Sequence, residues 1–423
     1  MKLTKQTFVT AFALFSLFFG AGNLIFPAFL GFNAGSGFFW VALGFIASAV
    51  MIPIMAVVAH ARLQGTMMDF AAKVSPVFAL IYCIIVYVIS ISFPSPRTAS
   101  VTYEMSIQPY LDIPSWVLSL GYFVLVLFLV WNRSKILDLI GKYLTPGILV
   151  ILSAIIGIGL FGDYAPMKPS VYASNLSSGI LEGYQTFDAI GGVVVGAVVV
   201  ISLRLKGLSP KLSRHVITKA GIIAGLGFVL IYVGLIALGA FVSGSYTVDN
   251  RVELLQTLSL SSLGAMGQAA LSVLVALACF TTAVGIVAGT ADFIKGLFNQ
   301  SERAYKITAI IGCILGVVMG QLDVHSIITV AYPALMLIYP VTIVLILLNV
   351  LPERYASVFV FRAVIITVLL FSFPDFLAKL GMTDQMSELQ EIIPLGAANL
   401  GWLLPAISVF LLCNLYQHFV LSD

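Results

Sequence analysis

The chain has 423 residues, 60% of them hydrophobic and only 9% charged, with a formal net charge of +3 and a mean hydropathy of +1.09. A soluble domain carries about 25% charged residues, so soluble classes are excluded and the chain reads as an all-α polytopic membrane protein. It has no Walker-type glycine loop, no G-x-S-x-G, no His/Cys cluster with metal-ligand spacing and no basic, aromatic-interleaved patch, which excludes the functions those motifs serve.

Met1-Lys2-Leu3-Thr4-Lys5 followed by apolar residues imitates a signal peptide. The apolar run continues past the small residues instead of stopping at a cleavage site, so it reads as an uncleaved first span. From Phe8 to Phe32 there is no charge, yet the centre carries Gly20 and Gly22 with Asn23 beside them. Glycine costs about 1 kcal/mol relative to alanine inside a helix. In lipid, unpaired backbone is tolerated only where it is buried in protein or lines a cavity. The interruption therefore marks a binding site.

Twelve hydrophobic segments follow in order, near 8–32, 36–60, 76–105, 114–132, 136–161, 178–203, 217–243, 264–297, 304–322, 326–350, 358–378 and 395–417. The third is long and holds Pro94 and Pro96, so it is either one kinked span or a shorter span with an outer loop. The sixth repeats the anomaly of the first, reading Gly183-Tyr184-Gln185-Thr186-Phe187-Asp188-Ala189-Ile190-Gly191-Gly192. An acid inside a span is costly and faces a cavity or a partner. Asp188 would escape that cost in an outer loop, but Ile190 to Ser202 alone is short for a span, which takes roughly 20 residues. Paired interruptions at corresponding positions of two halves point to a site at the interface of inverted repeats.

The eighth segment carries Ala278-Cys279-Phe280-Thr281-Thr282-Ala283. Adjacent threonines in an apolar helix bond the carbonyl one turn back and help helices associate. Hydroxyls joined by carbonyls from an unwound helix also suit a hard cation, and the pattern alone leaves both readings open. The four cysteines (Cys83, Cys279, Cys313, Cys413) all fall in apolar segments and read as small buried hydrophobes.

With the N-terminus inside, 17 of the 21 basic residues fall on the cytoplasmic side and only Arg97, Lys168, Arg251 and Lys379 outside. This alternation supports twelve spans with both termini cytoplasmic. Outer loops are polar, as from Asp384 to Glu391. A chain that is nearly all membrane points to transport. An intramembrane enzyme using Asp188 needs a second catalytic group at that depth, and the sequence offers none. A wet channel lacks the polar periodicity it requires.

The runs Phe18-Phe19-Gly20-Ala21-Gly22-Asn23-Leu24-Ile25-Phe26-Pro27, Pro96-Arg97-Thr98-Ala99 and Gly183 to Ala189 resemble the bacterial branched-chain amino acid carrier family, the BrnQ-like cation symporters of leucine, isoleucine and valine. The resemblance covers essentially the whole chain. It implies a LeuT-like fold with 5+5 inverted repeats over 1–161 and 162–350, discontinuous helices 1 and 6, and peripheral spans over 351–423. It implies Na+-coupled symport by alternating access in the bacterial cytoplasmic (inner) membrane. H+ is the alternative coupling ion, with Asp188 as its site.

The same resemblance assigns roles. Gly20-Ala21-Gly22-Asn23 matches the break of the first helix, and the amides of Ala21 and Gly22 are expected to hold the substrate carboxylate, with Phe18 beside them. A half-helix N-terminus does present free N–H groups and about half a positive charge. The carbonyls of Thr186 and Phe187 are expected to take the ammonium. A Na+ site is expected from the carbonyls of Ser16 and Phe19 with Ala278, Thr281 and Thr282. Asn23 and Asp188 are expected to mark a second cation site, or Asp188 to balance the ammonium. Ile25 stands where related symporters carry a gating arginine, so Arg97 is the candidate gate, with an ordinary interfacial arginine as the alternative. Phe187 and Ile286, then Val86 and Ile89, are expected to line an apolar side-chain pocket.

Overall fold

Proline, glycine and short polar caps set where the helices start and stop. The computed structural model describes residues 2–132, 136–205 and 207–420. Arg133, Lys135 and Lys206 of the charge map lie outside the described residues.

The first segment is two helices, α1 (Lys2–Phe18) and α2 (Ala21–Ala34). The second is α3 (Phe38–Ile46) and α4 (Ile52–Leu63), joined by a π turn, Ala47–Met51. A short α5 (Met67–Ala72) is capped by Thr66, whose hydroxyl accepts the Asp69 N–H. The third segment is α6 (Pro76–Ser92) and α7 (Pro94–Thr102), extended by a π turn over Tyr103–Ile107. It is thus a kinked span rather than a span with an outer loop. Pro94 has no N–H for the ladder and breaks it at Phe93. Next come α8 (Ser115–Asn132) and α9 (Ile136–Gly159). The sixth segment is again a broken pair, α10 (Asn175–Tyr184) and α11 (Asp188–Leu205), bent by 45°.

The remaining helices are α12 (Pro210–Val242), α13 (Arg251–Leu297), α14 (Glu302–Met319), α15 (Val324–Val350), α16 (Val358–Lys379), α17 (Thr383–Ile392) and α18 (Leu403–Val420). Each of the twelve apolar segments is helical. Among the described residues, length and apolarity alone mark six helical stretches as able to cross a membrane, seven with the bent pair counted as one; α8, α18 and much of α9 are apolar but shorter.

Two polar stretches read as outer loops are helical. The chain over 251–263 forms the start of α13, because Asn250 accepts the Val252 and Glu253 N–H groups at 3.0 and 2.9 Å. Gly264, at φ +67°, then re-aims that helix. Asp384 to Glu391 lies inside α17. The cysteines are buried and free, as their apolar setting requires.

Close packing is built on glycine at two places. Helix α2 lies on α12, where a Cβ on Gly31 would strike the Ile236 carbonyl and one on Gly239 the Ala28 carbonyl. Helix α10 lies on α3 in the same way, Gly179 against the Val41 carbonyl and Gly44 against the Leu176 carbonyl. Small residues let backbones touch in a membrane, where lipid is as apolar as leucine. Both contacts hold one half of a broken span against a neighbouring helix.

Candidate functional site: the junction of two broken helices

Helix α1 stops at Phe18. The Phe19 N–H still reaches the Phe15 carbonyl at 2.9 Å. Gly20 is extended (φ −117°, ψ −170°), and its N–H turns to the side-chain oxygen of Asn23 at 3.2 Å. The carbonyls of Ser16, Leu17 and Phe18 thereby lose their partners within α1, as at any helix end. On the other side of Gly20, the first-turn amides of α2 belong to Ala21 and Gly22. These amides carry the positive end of that helix.

In the second break the residues between the two helices are Gln185, Thr186 and Phe187. Phe187 sits at φ +63°, a left-handed conformation that costs a bulky residue on the order of 1–3 kcal/mol and persists only where the surroundings enforce it. Two side chains enforce it. The Thr186 hydroxyl donates to the Gly183 carbonyl at 2.8 Å and accepts the Asp188 N–H at 3.2 Å. The Tyr339 hydroxyl accepts the Ala189 N–H at 3.0 Å.

The two breaks meet. Asn23 Nδ2 donates to Asp188 Oδ2 at 2.6 Å and to the Tyr232 hydroxyl. Asn23 and Asp188 are 1% and 6% exposed. Phe18 is buried with its ring edge towards Gly191 at the start of α11. The fold thus brings Gly20, Asn23 and Phe18 of the first break beside Asp188 and Gly191 of the second.

Other expectations are corrected. The Phe187 carbonyl is not left unpaired by the break: it accepts the Gly191 N–H at 2.8 Å and begins the ladder of α11. The Gln185 carbonyl takes its place at the break, and there it accepts Arg97 Nη1 at 2.7 Å. Arg97 is neither in an outer loop nor an interfacial residue. It is 3% exposed within α7, with its guanidinium carbon 5.1 Å from the Phe26 ring centre and 5.2 Å from that of Phe187. Val86 and Ile89 share a buried cluster with Phe187. Ile286 is half-buried along α13 and belongs to none of the buried clusters. Ile25 is fully buried.

The threonine pair reaches the first break through one member. Both hydroxyls donate to the Ala278 carbonyl at 2.9 Å. Thr282 Oγ1 lies 3.5 Å from where a Gly20 Cβ would stand. Ser16 sits a turn back on α1, which packs mainly on α12 and also meets α9 and α11. Phe19 is buried and stacked on Phe15 and Phe228.

Sequence reasoning missed Tyr232, Tyr339 and Gln185. A tyrosine in an apolar helix carries no local signal, since its role depends on a partner 150 or more residues away. An ion pair also escaped notice: Arg251 Nε and Nη2 donate to Glu182 Oε1 at 3.1 and 2.9 Å. Arg251 also lines a cavity of about 360 Å³ with Glu104, Asp323 and His325, apart from the two breaks.

An all-helical fold with two interrupted spans meeting at buried polar groups defines the class of LeuT-fold membrane transporters. The inward-facing conformation of Mhp1 shares the fold at a TM-score of 0.62 and 12% identity, over 97% of this chain and 91% of that one. A mutant of the Eremococcus coleocola manganese transporter does so at 0.61 and 16%, over 96% and 94%. The chain matches the family described as branched-chain amino acid transport protein over residues 3–420, and it belongs to that family. The branched-chain amino acid transport system 2 carrier protein of Pseudomonas aeruginosa is 33% identical over 404 residues, 93% of this chain and 92% of that protein. The chain is thus a transport protein and not an enzyme.

Proposed function

We propose that the protein is a secondary symporter that imports leucine, isoleucine and valine across the bacterial cytoplasmic membrane, coupled to Na+. The observation that carries this reading is the Asn23–Asp188 contact, which joins the positive end of α2 to the acid of the second break. A zwitterion is complementary to them in charge: its carboxylate to the Ala21 and Gly22 amides, its ammonium to the Thr186 carbonyl and Asp188. Phe187, Val86 and Ile89 supply apolar surface for the side chain. Apolar pockets discriminate a methylene by only about 1–3 kcal/mol, so the three substrates share one site.

Na+ is a hard cation that takes oxygen ligands. Thr281 and Thr282 donate their protons backward to Ala278, and the Thr282 hydroxyl oxygen lies beside Gly20. The carbonyls of Ser16 and Phe19 complete the set. Alternating access moves the repeats 1–161 and 162–350 against each other, with 351–423 peripheral. The matched glycine contacts of α2 on α12 and of α10 on α3 support that pairing. Both termini lie in the cytoplasm by the charge map.

Buried Asp188 favours one second reading, a proton-coupled carrier. Radiolabelled leucine uptake into proteoliposomes under separate gradients decides between them. A Na+ gradient is expected to drive accumulation and a pH gradient alone to drive none. The reverse result selects the proton reading, with Asp188→Asn then abolishing uptake. No accumulation under either gradient overturns both.

A further inference from the structure

We propose that Arg97 binds the carboxylate of the substrate, together with the first-turn amides of α2. The proposal rests on the amino acid transport reading above and adds the group that recognises the substrate's negative charge.

Arg97 is a buried cation with no ion-pair contact among the described residues, and Asp188 attracts it only from a greater distance. A guanidinium offers five N–H donors. Here Nη1 bonds the neutral Gln185 carbonyl at 2.7 Å, and Nε has no partner. Among the described residues no carboxylate lies within ion-pair distance of it. Asp188 has its Oδ2 committed to Asn23. The faces of Phe26 and Phe187 compensate part of the charge. Buried charges are ordinarily paired as well as hydrogen-bonded.

A second positive feature stands beside it. Arg97 Nη2 lies 2.8 Å from where a Gly22 Cβ would be, against the N-terminal turn of α2 and its partial positive charge. Two positive groups held together in a buried space call for an anion between them. The absent Cβ of Gly22 lets the guanidinium and the Phe26 ring come against the backbone of that turn. Guanidinium matches a carboxylate in planar, two-point geometry. An α-amino acid brings that group together with an ammonium for the Asp188 side.

A gate is the weaker role for this residue. A gating arginine closes on an acid, and among the described residues the arginine in such an ion pair is Arg251, on Glu182.

The test is equilibrium binding of radiolabelled leucine in Na+ to purified wild type, Arg97→Gln and Arg97→Lys, with leucinamide as competitor. Leucinamide keeps the ammonium and side chain but lacks the carboxylate charge. Wild type is expected to favour leucine over leucinamide by about 100-fold. Arg97→Gln should lose leucine affinity by about 100-fold, as for a buried charge pair that loses one partner. It should hold leucinamide near the wild-type value, so that discrimination collapses to a few-fold. Melting transitions of the same preparations report the fold. Where Arg97→Gln lacks a transition, Arg97→Lys is read instead, and an intermediate loss of discrimination supports the proposal. Leucine binding within about threefold of wild type, or unchanged discrimination in the variant that folds, overturns it. Wild type that binds no leucine overturns the transport reading itself, a separate and recognisable result.

Discussion

Asn23 and Asp188 are 165 residues apart in sequence and share a hydrogen bond of 2.6 Å in the fold. The other end of the same amide accepts the Gly20 N–H. One side chain therefore terminates the first break and solvates the acid of the second. The two breaks thus share one side chain.

Replacing Asn23 with alanine should disturb both breaks at once. It leaves the Gly20 N–H and the Asp188 carboxylate each short of a buried partner, at about 1–3 kcal/mol apiece. Thermal melting in detergent should drop clearly, and leucine uptake should fall with it. Melting that matches wild type would contradict the linkage.

The threonine pair calls for a kinetic readout. Thr282 Oγ1 faces Gly20, so Thr282→Ala should raise the Na+ concentration for half-maximal leucine uptake by about tenfold, a loss of roughly 1.4 kcal/mol. Thr282→Ser keeps the oxygen and should stay near wild type. A helix-packing role alone predicts the opposite order of sensitivity: stability changes while the Na+ dependence does not.

The parts of this site that were legible in sequence are those with a local cause. Glycine weakens a helix wherever it stands, so Gly20, Gly22 and Gly183 announced the breaks, and an acid in an apolar run made Asp188 conspicuous. Pro94 and Pro96 left a kinked span and an outer loop equally open in sequence, and here Pro94 starts a second buried half-helix that carries Arg97. Tyr232 and Tyr339 act through distant partners and leave no pattern in their own helices. The start of α13 and the whole of α17 were hidden by polarity, since a helix outside the apolar segments lacks the long apolar run that identifies a span.

The glycine contacts can be tested against internal controls. Gly31→Leu or Gly179→Leu places a side chain where the Ile236 or Val41 carbonyl already lies. Overpacking of this kind costs about 1–3 kcal/mol or more. Both should lower the yield of folded protein and its melting temperature. Gly121→Ala and Gly157→Ala meet nothing within 4 Å and should leave melting unchanged or slightly raised. Equal effects at all four positions would mean that the close approach of these helices does not matter.

The pair of Arg251 with Glu182 joins α13 to α10, and its two side chains are each 16% exposed. Arg251 also lies over Phe26 and Phe29, 5.4 and 5.0 Å from their ring centres. Breaking a fully buried pair costs about 3–5 kcal/mol because one charge is left behind unpaired. Partial exposure to water reduces that, so about 2 kcal/mol is expected for Arg251→Ala or Glu182→Ala. Arg251→Glu combined with Glu182→Arg restores opposite charges across the same gap. Melting of wild type, Arg251→Glu, Glu182→Arg and the double reversal forms a double-mutant cycle. Coupling predicts that the double reversal is more stable than the sum of the single reversals by 1 kcal/mol or more. Additive losses would assign the effect of Arg251 to its packing on the two phenylalanines instead.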